Sequence, residues 1–373
     1  MKTFHFKSWI ILILTCGYIP LIASNSSDYE LKKNYTKEFT ADNNTVLELS
    51  NRYGKIDIKT WDKAAVKIDA NVIVKAGSKS KAEEKMEDIS VRMEKNGNNV
   101  VAVTEIESQS QSWWSGWFSG SNNVKIEINY TVYMSAELRS IIENKYGNIY
   151  LPDLKGKTSI NLKYGNLQAR NIDNDLQMDI SYGKANVGTV KSISGTFSYS
   201  DFYGTSAGVA ILTTKYSKIN LDNVNTLTAT SKYDGYRIGT AGTITLSGSY
   251  DDVHAGSVNT ATFNVKYTGL DISSLTSSLN ADISYGSLKI ENLKTSFSNI
   301  TVNTSYAPFK IYGSVPSKVE ISGKYFDTDL GSDFISVNNV KDGSRREIKG
   351  FKTSEKTSAT ISIKSSYGDI IIR

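Results

Sequence analysis

The side chains able to do chemistry are few, and their positions narrow the chemistry that is open. The 373 residues include two histidines and one cysteine. His5 and Cys16 both fall in the first 16 residues, so beyond that segment stands His254 alone, with no thiol. If that segment is cleaved, the remaining chain has no structural disulfide, Cys-ligated zinc, thiol nucleophile or multi-histidine metal site. His254 lies in Tyr250-Asp251-Asp252-Val253-His254. On a strand Asp252 and His254 point the same way, as an acid–base pair or weak metal ligands would. With no second histidine and no defined nucleophile, an exposed corner is the simpler reading. Asp201, Asp252 and Asp271 do not fall at adjacent equivalent positions, so no lyase or glycosidase constellation is visible. No phosphate loop or Rossmann glycine pattern occurs. No catalytic residue, cofactor or metal site is assigned.

Two groups of residues are suited to binding. The first is a series that is always Lys or Ser: Lys145, Lys163, Ser181, Ser198, Lys215, Lys232, Ser249, Lys266, Ser284, Ser305 and Lys324. Lys163, Lys215, Lys232 and Lys266 are its candidate contacts for an anionic polymer, such as an acidic glycan, or for lipid headgroups. A solvated face that discourages lateral sheet pairing is the simpler alternative. The second is the segment 108–123, where Trp113, Trp114, Trp117 and Phe118 stand among Ser and Gly. Such a loop suits sugar stacking, membrane contact or partner docking. Equally, it suits an apolar plug over the open end of a repeat.

Each member of the Lys/Ser series precedes a tyrosine, and the tyrosines organise the chain. They stand at 146, 164, 182, 199, 216, 233, 250, 267, 285, 306 and 325, at intervals of 17 to 21 residues. Four before each Tyr is an apolar or small residue, among them Ile160, Met178, Leu212 and Phe263. Three after it come Leu167, Phe202, Ile219 and Tyr236; five after it, Val187, Leu221, Ile238 and Ile272. Odd offsets before the Tyr are polar, so the period is two, the strand signature. Just after the Tyr the phase slips by one, where Gly165, Gly183, Ser200, Ser217, Asp234, Asp251 and Gly286 sit. Turn residues there predict a corner, with positive φ on the glycine. A 17–18-residue unit of two short strands buries its inner face only against neighbours, which predicts an all-β parallel solenoid. Eleven rungs would span about 50 Å. The tyrosines should form an aromatic ladder, body inward and hydroxyl at the rim. Pro152, Pro308 and Pro316 fall where corners are expected.

The flanks read differently. Residues 1–24 carry Lys2 and Lys7, an apolar run and small residues Ala23-Ser24 before a polar stretch, the pattern of a secretory signal peptide. Cleavage would remove two lysines and lower the net charge from +5 to +3, which gives no case for nucleic acid. Acylation of Cys16 is the weaker alternative, because Thr15 is a poor neighbour for it. Residues 25–140 read as a β-rich capping region with one helix near 79–88 and a hairpin around Asn96-Gly97. The repeat fills 141–326, and 327–373 reads as C-terminal cap strands.

Four segments carry a resemblance: Asn51-Arg52-Tyr53-Gly54-Lys55-Ile56-Asp57-Ile58, Asn144-Lys145-Tyr146-Gly147-Asn148-Ile149, Leu162-Lys163-Tyr164-Gly165-Asn166-Leu167 and Ser365-Ser366-Tyr367-Gly368-Asp369-Ile370. With the short helix and the Tyr130-Thr131-Val132-Tyr133 strand, the chain resembles the bacterial "putative adhesin" domain family of unknown function over most of 30–373. The resemblance implies a β-solenoid outside the cytoplasm: periplasmic, secreted or on the cell surface. It supplies no catalytic residue. The expected function is an exported, non-enzymatic, adhesin-like module that presents repetitive polar surfaces to a glycan or an envelope protein. A carbohydrate-active solenoid enzyme and a structural or signalling component of an envelope complex are the alternatives.

Overall fold

The computed structural model describes residues 29–107 and 124–373. The proposed leader and the aromatic segment with Trp113, Trp114, Trp117 and Phe118 lie outside the described residues. What is described is a parallel β-solenoid. From Lys184 onward five consecutive rungs are single 15-residue strands, Lys184–Ser198, Asp201–Lys215, Lys218–Lys232, Gly235–Ser249 and Asp252–Lys266. Each pairs in register with the next, so equivalent residues of the repeat stand side by side. Ile160, Met178, Leu212 and Phe263 before the tyrosines, and Leu167, Phe202, Ile219 and Tyr236 after them, all lie in the core. At about 25 cal/mol per Å² of apolar surface removed from water, this continuous core is the main stabilising term.

Pairing between neighbouring rungs skips single residues, as at Gly188 and Lys191. A rung therefore has three segments, 184–187, 189–190 and 192–198, where the alternation predicts two. The middle segment is too short to show a period. Its inward residue still forms a ladder, Val190, Ala207, Val224, Ala241 and Val258, all buried.

The sharpest corner corrects the sequence expectation twice. Positive φ belongs to the tyrosine and not to the residue after it: all 13 ladder tyrosines, Tyr53 and Tyr367 included, have φ between 51° and 63°. The left-handed conformation reverses the direction that strand alternation would give the side chain. The rings consequently stand outside, 40–50% exposed from Tyr164 to Tyr306, and do not point inward. They stack on one another with centroids 4.6–5.4 Å apart and planes within 17° of parallel. The glycine after the tyrosine is there for space: a Cβ on Gly147 would lie 1.8 Å from the Gly54 carbonyl oxygen, and one on Gly165 1.9 Å from that of Gly147.

The ends close the core in different ways. The strand Val46–Arg52 is flanked by Arg139–Lys145 on one side and by Asn99–Ile106 on the other. The latter is half of the hairpin turning at Gly97. The strands Tyr29–Thr40, Ala65–Ala76 and Val124–Met134 pair antiparallel and finish this cap. The helix Lys79–Glu87 packs on it, with the Ser78 side chain accepting the Lys81 N–H. At the other end rung order and chain order part. Thr360–Ser366 inserts between Asn299–Ser305 and Ser317–Lys324, so Tyr367 stacks between Tyr306 and Tyr325. The hairpin of Phe334–Asp342 and Arg345–Lys352 then lies antiparallel on Ser317–Lys324. Buried Lys352 pins it, donating to Asp333 Oδ1 (2.7 Å) and to the carbonyls of Leu330 (3.2 Å) and Ile372 (3.1 Å).

A left-handed corner filled by a stacked ring gives an unusual order of substitutions. Tyr216→Ala loses two stacking contacts worth about 0.5–1.5 kcal/mol each and keeps the unfavourable φ. Tyr216→Gly loses the same contacts but relieves roughly 1 kcal/mol of that φ. Urea denaturation should rank stability Tyr, then Gly, then Ala, the reverse of the Gly/Ala order inside an ordinary strand. A glycine variant less stable than the alanine one would contradict this account of the corner.

Candidate binding surface

The corner places the Lys/Ser series in one file beside the rings. Strand register runs Arg52, Lys145, Lys163, Ser181, Ser198, Lys215, Lys232, Ser249, Lys266, Ser284, Ser305, Ser366 and Lys324. Lys215 and Lys232 are therefore direct neighbours, and Lys163 sits between Lys145 and Ser181. Lys215, Lys232 and Lys266 are exposed and Lys163 half-exposed. None of these four makes an ion pair among the described residues. Lys163, Lys215 and Lys232 instead hold their ammonium groups 5.4–5.6 Å from the ring centroids of Tyr164, Tyr216 and Tyr233. Stacked neighbours cover both faces of these rings, so the ammonium groups lie beside the rings and keep their charge available.

Residues two past the tyrosine flank the rings on their other side. They place Lys184 and Lys218 beside the stripe in a second file, with Asp201 between them in register. Lys184 lies 4.3 Å from the centroid of the Tyr203 ring. Sequence reasoning missed these two lysines because it placed the rings inside. The signal was their shared offset from Tyr182 and Tyr216. Since each ring covers its neighbours' faces, the stripe presents ring edges, hydroxyls and ammonium groups outward.

Beneath the stripe the residue after each tyrosine is buried and polar in the middle rungs: Ser200, Ser217, Asp234, Asp251 and Thr268. Each side chain accepts the backbone N–H of its equivalent in the preceding rung. The N–H groups of Gly183, Ser200, Ser217, Asp234 and Asp251 donate in turn to the side chains of Ser200, Ser217, Asp234, Asp251 and Thr268, at 2.7–3.4 Å. Asp234 Oδ2 also accepts from Thr214 Oγ1 (2.6 Å) and the Lys232 N–H (2.8 Å), and Asp251 Oδ2 from Ser231 Oγ (2.7 Å). Burial pushes both carboxyls above the ordinary aspartate range, and the hydrogen bonds only partly oppose it. Their oxygens serve the backbone and adjoining hydroxyls.

The remaining acid–base candidate is on the surface. His254 Nε2 lies 3.0 Å from Asp252 Oδ2, with the two side chains 49% and 69% exposed. In register His254 stands between Arg237 and Asp271. No group of three or more His, Cys, Asp or Glu that could hold a metal occurs among the described residues.

No family model and no curated protein matches the chain. Among solved structures it is similar to a "putative cell adhesion protein" from Clostridium sporogenes, at 11% identity and TM-score 0.18, covering 91% of this chain and 99% of that one. It is also similar to a "putative adhesin" from Bacteroides fragilis, at 12% identity and TM-score 0.29, covering 75% and 97%. A third is a "putative lipid binding protein" from Parabacteroides distasonis, at 14% identity and TM-score 0.26, covering 76% and 95%. Likeness at this level carries no argument about ligand or role.

The buried aspartates give a pH dependence whose sign is set. Their carboxyls bind protons more tightly folded than unfolded, so their contribution to stability is greatest below about pH 4, the unfolded value. It declines as pH rises through the raised folded values. Asp234→Ser with Asp251→Ser keeps an acceptor for the Ser217 and Asp234 N–H groups, as at Ser200 and Ser217, and removes the titration. The parent's stability relative to this variant, read from denaturation midpoints, should fall from pH 4 to pH 7. A difference independent of pH would contradict the assignment.

Proposed function

We propose that this protein is an exported, non-enzymatic, adhesin-like binding module whose stripe of tyrosine edges and lysines engages an extended acidic glycan lying along the solenoid. The observation that carries the reading is the register. Lys163, Lys215, Lys232 and Lys266 stand in one file, without ion pairs among the described residues, beside hydroxyl-bearing ring edges. Each ammonium in such a file contributes little alone, because exposed charges are hydrated and screened. A polymer that meets several at once gains by effective concentration, so a repetitive surface suits a repetitive partner. Lys184 and Lys218 strengthen the positive field in the middle of the stripe.

The acids near the stripe support binding over turnover. Asp234 and Asp251 are buried and committed to the corner, and the Asp252–His254 pair lies open to solvent. A membrane or envelope-protein contact through Trp113, Trp114, Trp117 and Phe118 is a separate expectation that the stripe does not bear on.

Retention on immobilised heparin or polygalacturonate tests the reading. The parent should be held at low ionic strength and released as salt rises. Lys215→Glu with Lys232→Glu should abolish retention while leaving the strand circular dichroism unchanged. A double variant retained as well as the parent would sink the stripe as the binding surface.

A further inference from the structure

The ladder has one end where, among the described residues, a ring face carries no second ring. Tyr53, at the capped end, is buried. At the other end Tyr325 rests one face on Tyr367, with centroids 4.7 Å apart, and no second ring lies on its other face among the described residues. It is 58% exposed, more than any other tyrosine of the ladder. Over it the turn between Phe334–Asp342 and Arg345–Lys352 takes the place of a next rung, its Ser344 carbonyl accepting the Tyr325 N–H at 3.3 Å. Ring and turn enclose a pocket of about 470 Å³, bordered also by Asp327, Lys341 and Arg346. Arg346 is half-buried, and its Nε donates to Asn339 Oδ1 at 3.2 Å, which orients the guanidinium and leaves its terminal nitrogens free to bind. Lys324 pairs with Arg345 across the adjoining strands. None of Lys324, Lys341, Arg345 and Arg346 makes an ion pair among the described residues.

We propose that this end of the ladder is a subsite for a single acidic pyranose, a uronic-acid-type sugar at a chain end. The apolar face of a pyranose matches the flat face of Tyr325. Its carboxylate matches an oriented guanidinium, which binds carboxylates through two parallel hydrogen bonds, with Lys341 adding charge. Its hydroxyls match Asp327 and Ser344, groups that an aromatic anion would leave unused. The volume lies within the range of small-molecule sites. The inference shares its ligand class with the acidic-glycan reading above and rests on that class, but uses none of Lys163, Lys215, Lys232 and Lys266.

The probes are methyl glucuronide, methyl glucoside and benzoate, titrated by NMR against the full chain. Methyl glucuronide should bind saturably. Methyl glucoside, which lacks the carboxylate, should bind at least about tenfold more weakly. Tyr325→Asn removes the ring with a residue that tolerates positive φ, and Arg346→Met removes the guanidinium from a half-buried hairpin position. Each should weaken methyl glucuronide about tenfold or more while the thermal midpoint stays near the parent's. Lys215→Glu with Lys232→Glu should bind methyl glucuronide like the parent and lose only polymer retention, so either idea can fail alone. The subsite is overturned if the parent does not bind methyl glucuronide saturably, if Arg346→Met binds it like the parent, or if benzoate binds as tightly.

Discussion

The structure depends on one backbone constraint: every turn of the coil passes through a left-handed residue, and that residue is a tyrosine. Glycine would occupy the conformation at no steric cost, whereas an L side chain costs roughly 1–2 kcal/mol there. What offsets the cost comes from the neighbouring rungs. A ring stacked on both sides gains about 0.5–1.5 kcal/mol per contact beyond the area covered. Its N–H also donates to the carbonyl of the residue before the neighbouring tyrosine, as from Tyr216 to Lys232 at 3.1 Å. Cost and gain are of similar size, so a lone tyrosine corner would be marginal and a stack of them is not. The ladder therefore couples the rungs: each ring justifies its neighbours' conformation.

The residue after the tyrosine meets the same constraint in two ways. Where rungs approach closely, as at Gly147 and Gly165, no Cβ fits. In the middle rungs the backbones leave room, and Ser200, Ser217, Asp234, Asp251 and Thr268 fill it with acceptors for corner N–H groups. A buried N–H without a partner costs about 1–3 kcal/mol, so these polar side chains belong to the scaffold. The first rung solves a related problem with Asn51, whose Nδ2 donates to the Ile128 carbonyl at 2.9 Å. Its Oδ1 accepts from Thr104, which in turn bonds Tyr130. Polar residues that read as turn formers in the linear sequence are thus also the hydrogen-bond lining of the corner.

Much of this was legible from spacing. The rung length, the in-register Lys/Ser file, the core positions before and after each tyrosine, the helix after Ser78 and the hairpin at Gly97 all follow from periodicity and turn chemistry. The direction of the rings was not legible, because alternation assigns Tyr216 to the same side as Leu212 and Thr214. A single left-handed residue reverses that, and the phase slip after each tyrosine is its trace in the sequence. The next position holds Gly, Ser or Asp, residues that ordinarily turn chains, and so masks the tyrosine as the left-handed one. The insertion of Thr360–Ser366 was also out of reach, since Tyr367 carries the same local signature as Tyr325 and sequence order implies stack order. The pocket beside Tyr325 depends on that insertion and on the hairpin after it, so its parts, Asp327, Lys341, Ser344 and Arg346, share no motif.

The direction of the rings decides what kind of recognition each surface can perform. Along the rod every ring face from Tyr146 to Tyr367 is covered by a neighbour, so the tyrosines cannot act there as platforms for flat ligands. They contribute edges and hydroxyls, and specificity along the rod must come from spacing and charge, which discriminate weakly for one ligand unit and strongly for a chain of them. At the end of the stack the situation inverts: among the described residues one face carries no second ring and one guanidinium is oriented, but nothing repeats. A ligand unit there is recognised by shape and by its own charged group. The same stacking that stabilises the corners therefore divides the molecule into a side that reads polymers by repetition and an end that reads a single residue.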